Sequence, residues 1–537
     1  MTEQLLRKDH RHIIKRIIVR GTLVLDTPTC LGSGDAEGPT DLILLRDSIR
    51  QKTKSSNGQE IEGFHALLTG SSISGALRNY LHEYDQGYSK SEISQELSTK
   101  LFGHLFCYED GVPKKPTLQK ETEENQSPLI IDDAVSSKLP VVELRDGVKI
   151  DGATGTADEG AKYDLELLEA GTQFSLTFEL LVEKDADEAE LKKALAIALR
   201  GLEKGEISIG MKKRRGFGRC KVEKWQVWEF DLRKHKDRIE WLKFDHWTRE
   251  LSNKRKSFES IVVALGGISL KQLIDKRDRL FIYAKFQLAS PLLIRSGQDL
   301  TKRSATDKNS KLSVPDVVHL RSQRNGKLQP VVSGTSLAGV LWHRAERIVN
   351  TLGKDLKIIY DLFGKVDEDT KEAKASRLVI DETAIESTDD LVQSRIAIDR
   401  FTGGTYHGAL FSEQPIFGIE TTEEQKKNKK GKEKSKPAQK NKHIELKLEL
   451  RQPKDYEIGL LLLLLKDLWT GDLPVGGTSS IGRGRLQGVE ATLTWQQPEE
   501  NLEQKWVISQ NNGKLEFAGE DKQKLEKFVT IFVEETT

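Results

Sequence analysis

Two glycine-rich segments of the chain carry basic residues in a pattern suited to binding an anion. GEISIGMKKRRGFGRC (residues 205–220) sets four consecutive basic residues before a Gly-Phe-Gly turn, and GDLPVGGTSSIGRGRLQG (471–488) has a similar outline. Glycine lets a phosphate approach the backbone N–H groups, and arginine donates paired hydrogen bonds. A plain turn with solvated charges is the alternative for either segment alone. The residues predicted to contact nucleic acid are Lys212, Lys213, Arg214, Arg215, Phe217 (stacking on a base), Arg219, Arg483 and Arg485.

Two predicted helix starts form a second candidate anion site. TGSSISGALRNYL (69–81) and SGTSLAGVLWHRA (333–345) each place hydroxyl residues directly after a glycine. Free N–H groups and the positive end of the helix dipole favour an anion at such a position. Serine-rich caps are commonly only structural, and that alternative stays open. The residues assigned to this site are Gly70, Ser71, Ser72, Arg78, Gly334, Thr335, Ser336 and Arg344.

Composition excludes several classes of protein. The 537 residues are 31% charged and 36% hydrophobic, which is typical of a soluble protein with more than one domain. Because the net charge is only +1, nucleic-acid binding requires local basic patches. Cys30, Cys107 and Cys220 lack metal-ligand spacing, so inert thiols are expected. The longest apolar run, at 458–469, is too short to span a membrane, and the charged N-terminus is unlike a secretion signal, so we expect a cytoplasmic protein.

The two basic turns belong to a longer internal repeat. The helix starts and the basic turns recur in the same order and at nearly the same separation in both halves. Such ordered recurrence indicates a tandem duplication. The remaining matched landmarks are LFG at 101 and 362, LIIDDAV (129–135) with LVIDETA (378–384), and VKIDGATGTADEGAKYDLE (148–166) with IAIDRFTGGTYHGALFSEQ (396–414).

The elements that must position these residues follow one order in each repeat. An opening strand leads to the capped helix, and strict alternation at 174–180 and 444–450 predicts a strand with one buried face. A helix, the basic turn and a final strand follow. With one more strand in the irregular middle, the order is β-α-β-β-α-β, which predicts an α+β fold of two tandem ferredoxin-like domains.

The predicted domain boundaries follow from these elements. The first domain spans residues 1–230 and the second 279–497, separated by a charged helical linker at 231–278. A lysine-rich insertion at 421–443 is predicted to be disordered, either as a solvated loop or as a basic arm that contacts nucleic acid. Residues 498–537 are predicted to form a tail with some helical character.

The ordered set of motifs resembles the RAMP superfamily of CRISPR proteins. It consists of a Gly-Ser/Thr-Ser-x-x-Gly helix start, an IDR-x-TG segment before a hairpin and a closing G-x-G-R turn, and it covers residues from about 15 to 230 and 279 to 497. Within the superfamily, the sequence resembles the backbone subunits of type III effector complexes, and the two fused copies resemble the III-D branch. The resemblance implies RRM-like domains with thumb-like hairpins that bind guide RNA and complementary target RNA beside other subunits, without a membrane.

The same resemblance implies a catalytic aspartate in each repeat. Family members carry an aspartate before a short apolar run that ends in a basic residue, and this aspartate acts in metal-dependent cleavage of target RNA. TDLILLRDS (40–48) and PDVVHLRS (315–322) match this outline, which places Asp41 and Arg46 against Asp316 and Arg321. Such a carboxylate would hold a divalent ion, magnesium or manganese, or orient the attacking 2′-hydroxyl. The other metal ligands are not identified.

Rival candidates for the chemistry lie in the same loops. The carboxylates are Asp26, Asp35, Asp299 and Asp307. The histidines are His12, His65, His319 and His343, and no two of them share a position between the repeats, so a structural role is expected for each.

The segments after Asp151 and Asp399 resemble the thumb hairpin that kinks a guide–target duplex in this family. The apolar wedge would come from Tyr163 and Leu165 in the first repeat and from Phe401, Tyr406 and Phe411 in the second. A duplex kinked at each hairpin would present one scissile phosphate to each aspartate, so two cuts at a fixed spacing are expected.

Three functions remain open from the sequence. The preferred one is an RNA-guided, metal-dependent endoribonuclease subunit that is active within the assembled complex. The second is a scaffold that holds guide RNA and leaves cutting to neighbouring subunits. The third is a guide-processing RAMP nuclease, which would work alone on precursor RNA and would depend on a histidine.

Overall fold

The structure is a computed structural model that describes most of the chain. The described residues are 11–34, 40–54, 60–91, 96–104, 107–109, 112–114, 126–248, 250–270, 273–296, 315–366, 373–406, 410–418, 443–500, 502–511, 513–518 and 521–534. Nearly all of the lysine-rich insertion lies outside them.

Repeat one contains eleven described strands and three described helices. In chain order these are β1 (Ile13–Leu25), β2 (Arg46–Lys54), β3 (Glu60–Leu68), α1 (Gly70–Gln86), α2 (Leu97–Phe102), β4 (Cys107–Glu109), β5 (Val112–Lys114), β6 (Leu129–Ile131), β7 (Ala134–Val135), β8 (Val142–Ile150), β9 (Ala157–Leu168), β10 (Gln173–Glu183), α3 (Glu188–Glu203) and β11 (Cys220–Asp231).

A connector with two short helices leads into repeat two. The connector helices are α4 (His235–Leu242) and α5 (Ile261–Ala264). Repeat two contains β12 (Arg279–Leu288), β13 (Arg295–Ser296), β14 (Val317–His319), β15 (Arg321–Arg324), β16 (Lys327–Val332), α6 (Gly334–Thr351), α7 (Lys357–Phe363), β17 (Lys365–Val366), β18 (Ala373–Lys374), β19 (Leu378–Ile380), β20 (Thr383–Ala384), β21 (Thr388–Asp390), β22 (Gln393–Arg395), β23 (Phe411–Gln414), β24 (Ile416–Gly418), β25 (Ile444–Arg451), α8 (Asp455–Trp469) and β26 (Leu486–Gln497). The chain ends with β27 (Leu502–Asn511), β28 (Lys514–Phe517) and α9 (Asp521–Glu534).

Both repeats form the predicted ferredoxin-like sheet. The strand order is β11-β1-β10-β6 in repeat one and β19-β25-β12-β26 in repeat two, and the pairing within both sheets is antiparallel. The extra strand expected in the irregular middle is only three residues long in each repeat, at β6 and β19. The α+β prediction of two tandem domains is therefore confirmed.

Each repeat has its own hydrophobic core. The inward residues of β1 and β10 pack with α1 and α3 in repeat one, whereas those of β12 and β25 pack with α6 and α8 in repeat two. The connector contributes Ile261 and Leu265 to the first core. Apart from its two short helices, the described part of the connector is not helical, although the sequence predicted a helical linker. None of the described helices has the length and apolar character needed to cross a membrane.

The C-terminal segment completes the second domain, whereas the sequence predicted a tail. β27 pairs with β26 and β28 pairs with β27, which extends the second sheet to six strands. Phe528 and Phe532 of α9 lie in the second core. A Cβ atom added at Gly459 would lie 2.2 Å from the carbonyl oxygen of Phe528. Helices α8 and α9 therefore pack in close contact.

Ion pairs join the two repeats. Arg219 contacts Asp381 at 2.6 Å, and Arg451 contacts Glu83 at 3.1 Å. Arg145, on the β8–β9 hairpin, contacts Glu382 at 2.7 Å, and both side chains are buried. A buried pair requires tight geometry because each charge must be removed from water, so these contacts fix how the repeats meet.

Candidate nucleic-acid interface

The two basic turns have the same backbone construction. We refer to residues 212–219 as the first turn and 478–485 as the second turn. Gly218 and Gly484 have φ values of 76° and 79°, and a Cβ atom would lie 1.8 Å and 2.0 Å from the carbonyl oxygens of Ile209 and Val475. Both glycines are therefore required by close packing of the turn on its own domain. This differs from the sequence interpretation, in which these glycines make room for a phosphate.

The side chain between the glycines points inward in both turns. Phe217 is 2% exposed and packs in one cluster with Leu165. Arg483 is 4% exposed and pairs at 2.7 Å with Glu413, which is fully buried and matches Leu165 in the repeat alignment. The prediction that Phe217 stacks on a base, and the prediction that Arg483 contacts RNA, are corrected because both side chains fill the interior.

The first turn retains three cations without an acidic partner. Lys213, Arg214 and Arg215 form a short 3-10 helix, and no described carboxylate lies within 4.0 Å of their side-chain nitrogens. Burial lowers the pKa of all three side chains. Nη1 of Arg215 is buried and has no hydrogen-bond partner among the described residues. Lys213 is exposed, and Arg214 and Arg215 are partly buried without an ion pair to a described carboxylate, an arrangement that favours binding of an anion.

The other basic residues of the turns are placed differently. Lys212 lies with its Nζ 3.8 Å from the centre of the Tyr163 ring. Arg219 donates two hydrogen bonds to Asp381, so it holds the repeats together. Arg485 is exposed, and its backbone N–H donates to Ser290 at 2.9 Å.

The unpaired cations line a cleft between the repeats. This cleft has a volume of about 1400 Å³, and the first turn, α1 and the outer face of the second sheet line it. A depression of about 390 Å³ continues from it along α1 and is lined by Ser71 and Ser72. Lys213 and Asn79 line both spaces. The structure therefore brings the helix start of repeat one and the first turn together along one surface.

The helix starts are capped by the protein itself. The hydroxyls of Thr69 and Ser333 accept hydrogen bonds from the backbone N–H groups of Ser72 and Ser336. The N–H group of Gly70 donates to Asp133 at 2.7 Å. These internal partners reduce the capacity of the helix starts for a phosphate.

The remaining residues assigned to the helix starts lie within the protein or against it. Gly334 is buried, and a Cβ atom there would meet the carbonyl of Arg215 at 2.3 Å. Thr335 donates to Ser333. Arg344 pairs with Asp467 at 2.6 Å, and Arg78 is 8% exposed, so both already lie against the protein, and the phosphate clamp stays a prediction.

The two predicted catalytic aspartates have equivalent surroundings. Asp41 is exposed and accepts a 2.7 Å hydrogen bond from the N–H group of Asp164 in β9. Asp316 is also exposed and accepts a 2.7 Å hydrogen bond from the N–H group of Ser412 in β23. Asp164 and Ser412 match in the repeat alignment. Each aspartate is thus fixed at the base of its own hairpin with its carboxylate at the surface.

A family model describing the RAMP superfamily matches residues 22–221 and 285–487. The chain belongs to the RAMP superfamily. The two matched regions correspond to the two repeats, so the protein contains two fused RAMP domains. No curated protein matches the chain.

The basic residues after the aspartates also take similar positions in the two RAMP domains. Arg46 contacts Glu166 at 3.2 Å, and Arg321 contacts Asp390 at 2.5 Å. Gln414, which matches Glu166, donates to Asp390 as well. These arginines orient the loop through acidic partners.

Carboxylate and hydroxyl oxygens, the donor types at the aspartates, are ones that magnesium and manganese accept. Magnesium binds through one or two carboxylates together with substrate phosphates. The exposed donor is the carboxylate of Asp41 in the first RAMP domain and that of Asp316 in the second, where the hydroxyl of Ser412 lies 3.2 Å from it. Among the described residues, no three His, Cys, Asp or Glu side chains converge on a metal-sized site.

Asp26 is the rival carboxylate that the structure describes, and it is less suited to chemistry repeated in each RAMP domain. The N–H group of Asp26 donates to the carbonyl of Arg219, and the N–H group of Ala289 donates to the carbonyl of Arg485. Ala289 therefore occupies the position in the second domain that Asp26 occupies in the first. Burial raises the pKa of Asp26. Asp35, Asp299 and Asp307 lie outside the described residues.

Two of the rival histidines have clear structural contacts. His319 is 2% exposed, and burial lowers its pKa to about 3, so it is a neutral core residue. The ring of His65 bonds the carbonyl of Ser136. Burial also raises the pKa of the Cys30 and Cys220 thiols, which makes them inert.

The Ile-Asp-x-x-Thr-Gly segments at 150–155 and 398–403 build the same tip on both hairpins, and only the second has the arginine of the IDR-x-TG motif. Asp151 accepts hydrogen bonds from the N–H groups of Ala153 and Thr154, and Asp399 accepts them from Phe401 and Thr402. These bonds lower the pKa of both carboxyl groups. The motif therefore stabilises a turn.

The two hairpins differ in what covers their apolar residues. In the first hairpin both predicted wedge residues pack against the protein. Leu165 is buried, and the ring of Tyr163 lies so close to Gly147 that an added Cβ atom would overlap it. In the second hairpin Phe401 is 99% exposed, and Tyr406 and Phe411 are also exposed. Only the second hairpin therefore exposes the residues that were predicted to form the wedge.

The outer face of the second sheet was missed by the sequence analysis. Phe281, Tyr283 and Lys447 line the cleft opposite the first turn. The opening strand of repeat two was predicted, but an aromatic residue on its polar face carried no motif.

Proposed function

We propose that this chain is a backbone subunit of a type III CRISPR ribonucleoprotein that binds guide RNA and cleaves complementary target RNA once per domain. RAMP proteins bind RNA in CRISPR complexes, and some members are endoribonucleases. The observation that carries the proposal is the equivalence of Asp41 and Asp316. Two exposed carboxylates anchored to matched hairpin positions are arranged as a repeated catalytic site would require.

The RNA-binding part of the proposal is supported by the first turn. Lys213, Arg214 and Arg215 line the cleft without an ion pair to any described carboxylate, whereas the cleft residue Arg277 pairs with Glu206 at 2.6 Å. A phosphate would supply the missing negative charge. Recognition would then depend on the RNA backbone, and base pairing with the guide would select the target.

The proposed reaction uses few protein groups. A divalent ion bound at Asp41 or Asp316 would stabilise charge on the scissile phosphate. The aspartate would be held by the N–H group of Asp164 or Ser412, while the first turn would position the RNA strand.

Each repeat has an uncovered surface equivalent to one of the two surfaces that join the repeats, and a neighbouring subunit would bind there. At the first turn, a Cβ atom at Gly216 would meet the backbone of Glu382 at 2.2 Å, because repeat two covers that turn. The equivalent Gly482 has no described atom within 4 Å of that position. In repeat one, Asp132 and Asp133 are exposed and match Asp381 and Glu382. A further RAMP subunit would dock at either end through the same kind of contact.

Replacing Lys213 and Arg214 together by alanine is expected to weaken binding of single-stranded RNA by about tenfold at low salt, because two phosphate contacts are removed. Fluorescence polarisation of a labelled oligoribonucleotide, titrated with the full chain at several salt concentrations, measures the effect. The salt dependence should also become shallower. Lys236 and Lys522, which lie outside the cleft and are exposed, provide a control with the same loss of charge. Equal weakening in both double variants would contradict the assignment of the cleft.

Phe401→Ala is expected to reduce cleavage at the cut assigned to the second domain and to leave the other cut unchanged. The ring is almost fully exposed, so its removal costs little folding stability and acts on the kink of the duplex. Separation of cleavage products from the assembled complex on a sequencing gel measures both cuts. Arg400→Ala, at the neighbouring position, is the control, and an unchanged pattern for Phe401→Ala would exclude the wedge.

A scaffold without catalytic activity is the second candidate function. It is favoured by the hydrogen bonds of Asp41 and Asp316 to backbone N–H groups, since such contacts also serve a purely structural role. In this case single alanine substitutions of both aspartates would leave all cuts in place. The guide-processing alternative predicts cleavage of precursor RNA by the purified chain without metal.

A further inference from the structure

The outer faces of the two sheets are used differently. When the C-terminal ends of β1 and β12 are aligned, Arg16, Ile18 and Arg20 take the positions of Arg279, Phe281 and Tyr283. In repeat one the connector covers this face: Arg16 lies over the ring of Trp241 at 4.6 Å, and Arg20 lies over Phe244 at 4.8 Å. The face of the first sheet is therefore closed by the chain itself.

The corresponding face of the second sheet is open to the cleft. Phe281 and Tyr283 stack with their ring centres 6.2 Å apart and an angle of 19° between their planes. Tyr283 is 48% exposed and lies between Lys447 and Thr492 on the neighbouring strands. Arg279 lies over the other side of this pair, 5.1 Å from the ring of Phe281.

Tyr283 faces the same space as the unpaired cations of the first turn. Lys213, Arg214 and Arg215 line the cleft together with Phe281 and Tyr283. Burial raises the pKa of the Tyr283 phenol, so the ring is neutral at physiological pH. An exposed aromatic ring on a sheet, beside cations that can bind phosphates, suits an unpaired nucleobase, because every base has a face that can stack.

We propose that Tyr283, supported by Phe281, is a stacking platform for an unpaired base of RNA whose phosphates are bound by Lys213 and Arg214. This inference rests on the proposed RNA-binding function and adds to it a preference for single-stranded RNA at this part of the cleft. A duplex would not present a free base face to Tyr283. The platform is specific to the second domain, since the equivalent surface of the first is covered by the connector.

The test compares Tyr283→Ala with Tyr283→Phe in the full chain. The probes are a labelled single-stranded oligoribonucleotide and a duplex of the same length, measured by fluorescence polarisation. Tyr283→Ala should weaken binding of the single strand by about tenfold and leave duplex binding unchanged, because stacking of one base is lost. Tyr283→Phe should bind as the unmodified chain does, since the ring is retained. Trp247→Ala, which removes a 90% exposed ring on the connector, is the matched control.

Crosslinking gives a second measurement that does not depend on affinity. An oligoribonucleotide containing 4-thiouridine should crosslink to the peptide that contains Phe281 and Tyr283, as identified by mass spectrometry. Binding that depends on Lys213 and Arg214 but not on Tyr283, without this crosslink, would overturn the platform and leave the proposed function intact. Absence of RNA binding by the unmodified chain would overturn both. Binding of an acidic peptide in place of RNA, competing at the same residues, would assign the face to a protein partner and also overturn the platform.

Discussion

Asp41→Ala and Asp316→Ala are each expected to abolish one cut in the target RNA and to leave the other cut in place. Loss of a group that acts in proton transfer or metal binding lowers a rate by about 100-fold or more. Because each aspartate is held at its own hairpin, the effect should remain within one domain. The measurement is cleavage of an end-labelled target by the reconstituted complex, with both products quantified over time.

Two further variants separate catalysis from structure. Asp41→Asn and Asp316→Asn keep an oxygen that accepts the N–H bond but remove the charge, so they should also lose the corresponding cut. If the asparagine variants cut normally, the aspartates serve only to position their loops. Raising the magnesium or manganese concentration should partly restore cutting in both asparagine variants, because a weakened metal site is filled at a higher concentration of the ion.

Arg483→Ala is expected to lower the free energy of unfolding of the second domain by about 3 to 5 kcal/mol. The substitution leaves Glu413, which is fully buried, without its closest partner. Arg395 contacts the same carboxylate at 3.2 Å and retains only part of the compensation. Thermal or denaturant unfolding, followed by circular dichroism, measures the loss.

The first domain provides the matched control for this prediction. Its equivalent pair is Phe217 with Leu165, an apolar contact at the same two positions. The double variant Arg483→Phe with Glu413→Leu should therefore be more stable than Arg483→Phe alone, because it removes the buried charge together with its partner. If the single and double variants unfold at the same denaturant concentration, the coupling between these positions is absent. RNA binding should be unaffected in the double variant, since neither side chain reaches the cleft surface.

Much of the fold could be predicted because its signals are local or repeated. The alternation in β10 and β25 and the order of the landmarks predict the elements of each domain. The helix starts were also predicted, but the capping hydroxyls belong to Thr69 and Ser333, directly before each glycine, and not to the hydroxyl residues that follow it. The aspartates were placed by the resemblance to the RAMP superfamily, and the repeat provided a matching position in each domain. Their catalytic role stays a prediction.

The roles of the basic turns could not be predicted in the same way. The sequence shows that Lys212 to Arg219 are rich in positive charge, but it does not show which of those charges have partners. Asp381, more than 150 residues away in the chain, pairs with Arg219, while Arg214 and Arg215 remain without an acid among the described residues. Direction of the side chain also matters: Phe217 and Arg483 point inward because the backbone of each turn is fixed by its glycines.

The sequence by itself determined the duplication, the ferredoxin-like order of elements and the positions of the two helix starts, because hydrophobic periodicity and short-range hydrogen bonds act over a few residues. Only the tertiary structure decided which cations remain available, which sheet face is open and that the C-terminal segment belongs to the second core. The apolar run of α8 illustrates the reason: its leucines are buried on more than one side because α9 covers them. Contacts between residues distant in the chain depend on how whole elements pack, and no local pattern records them.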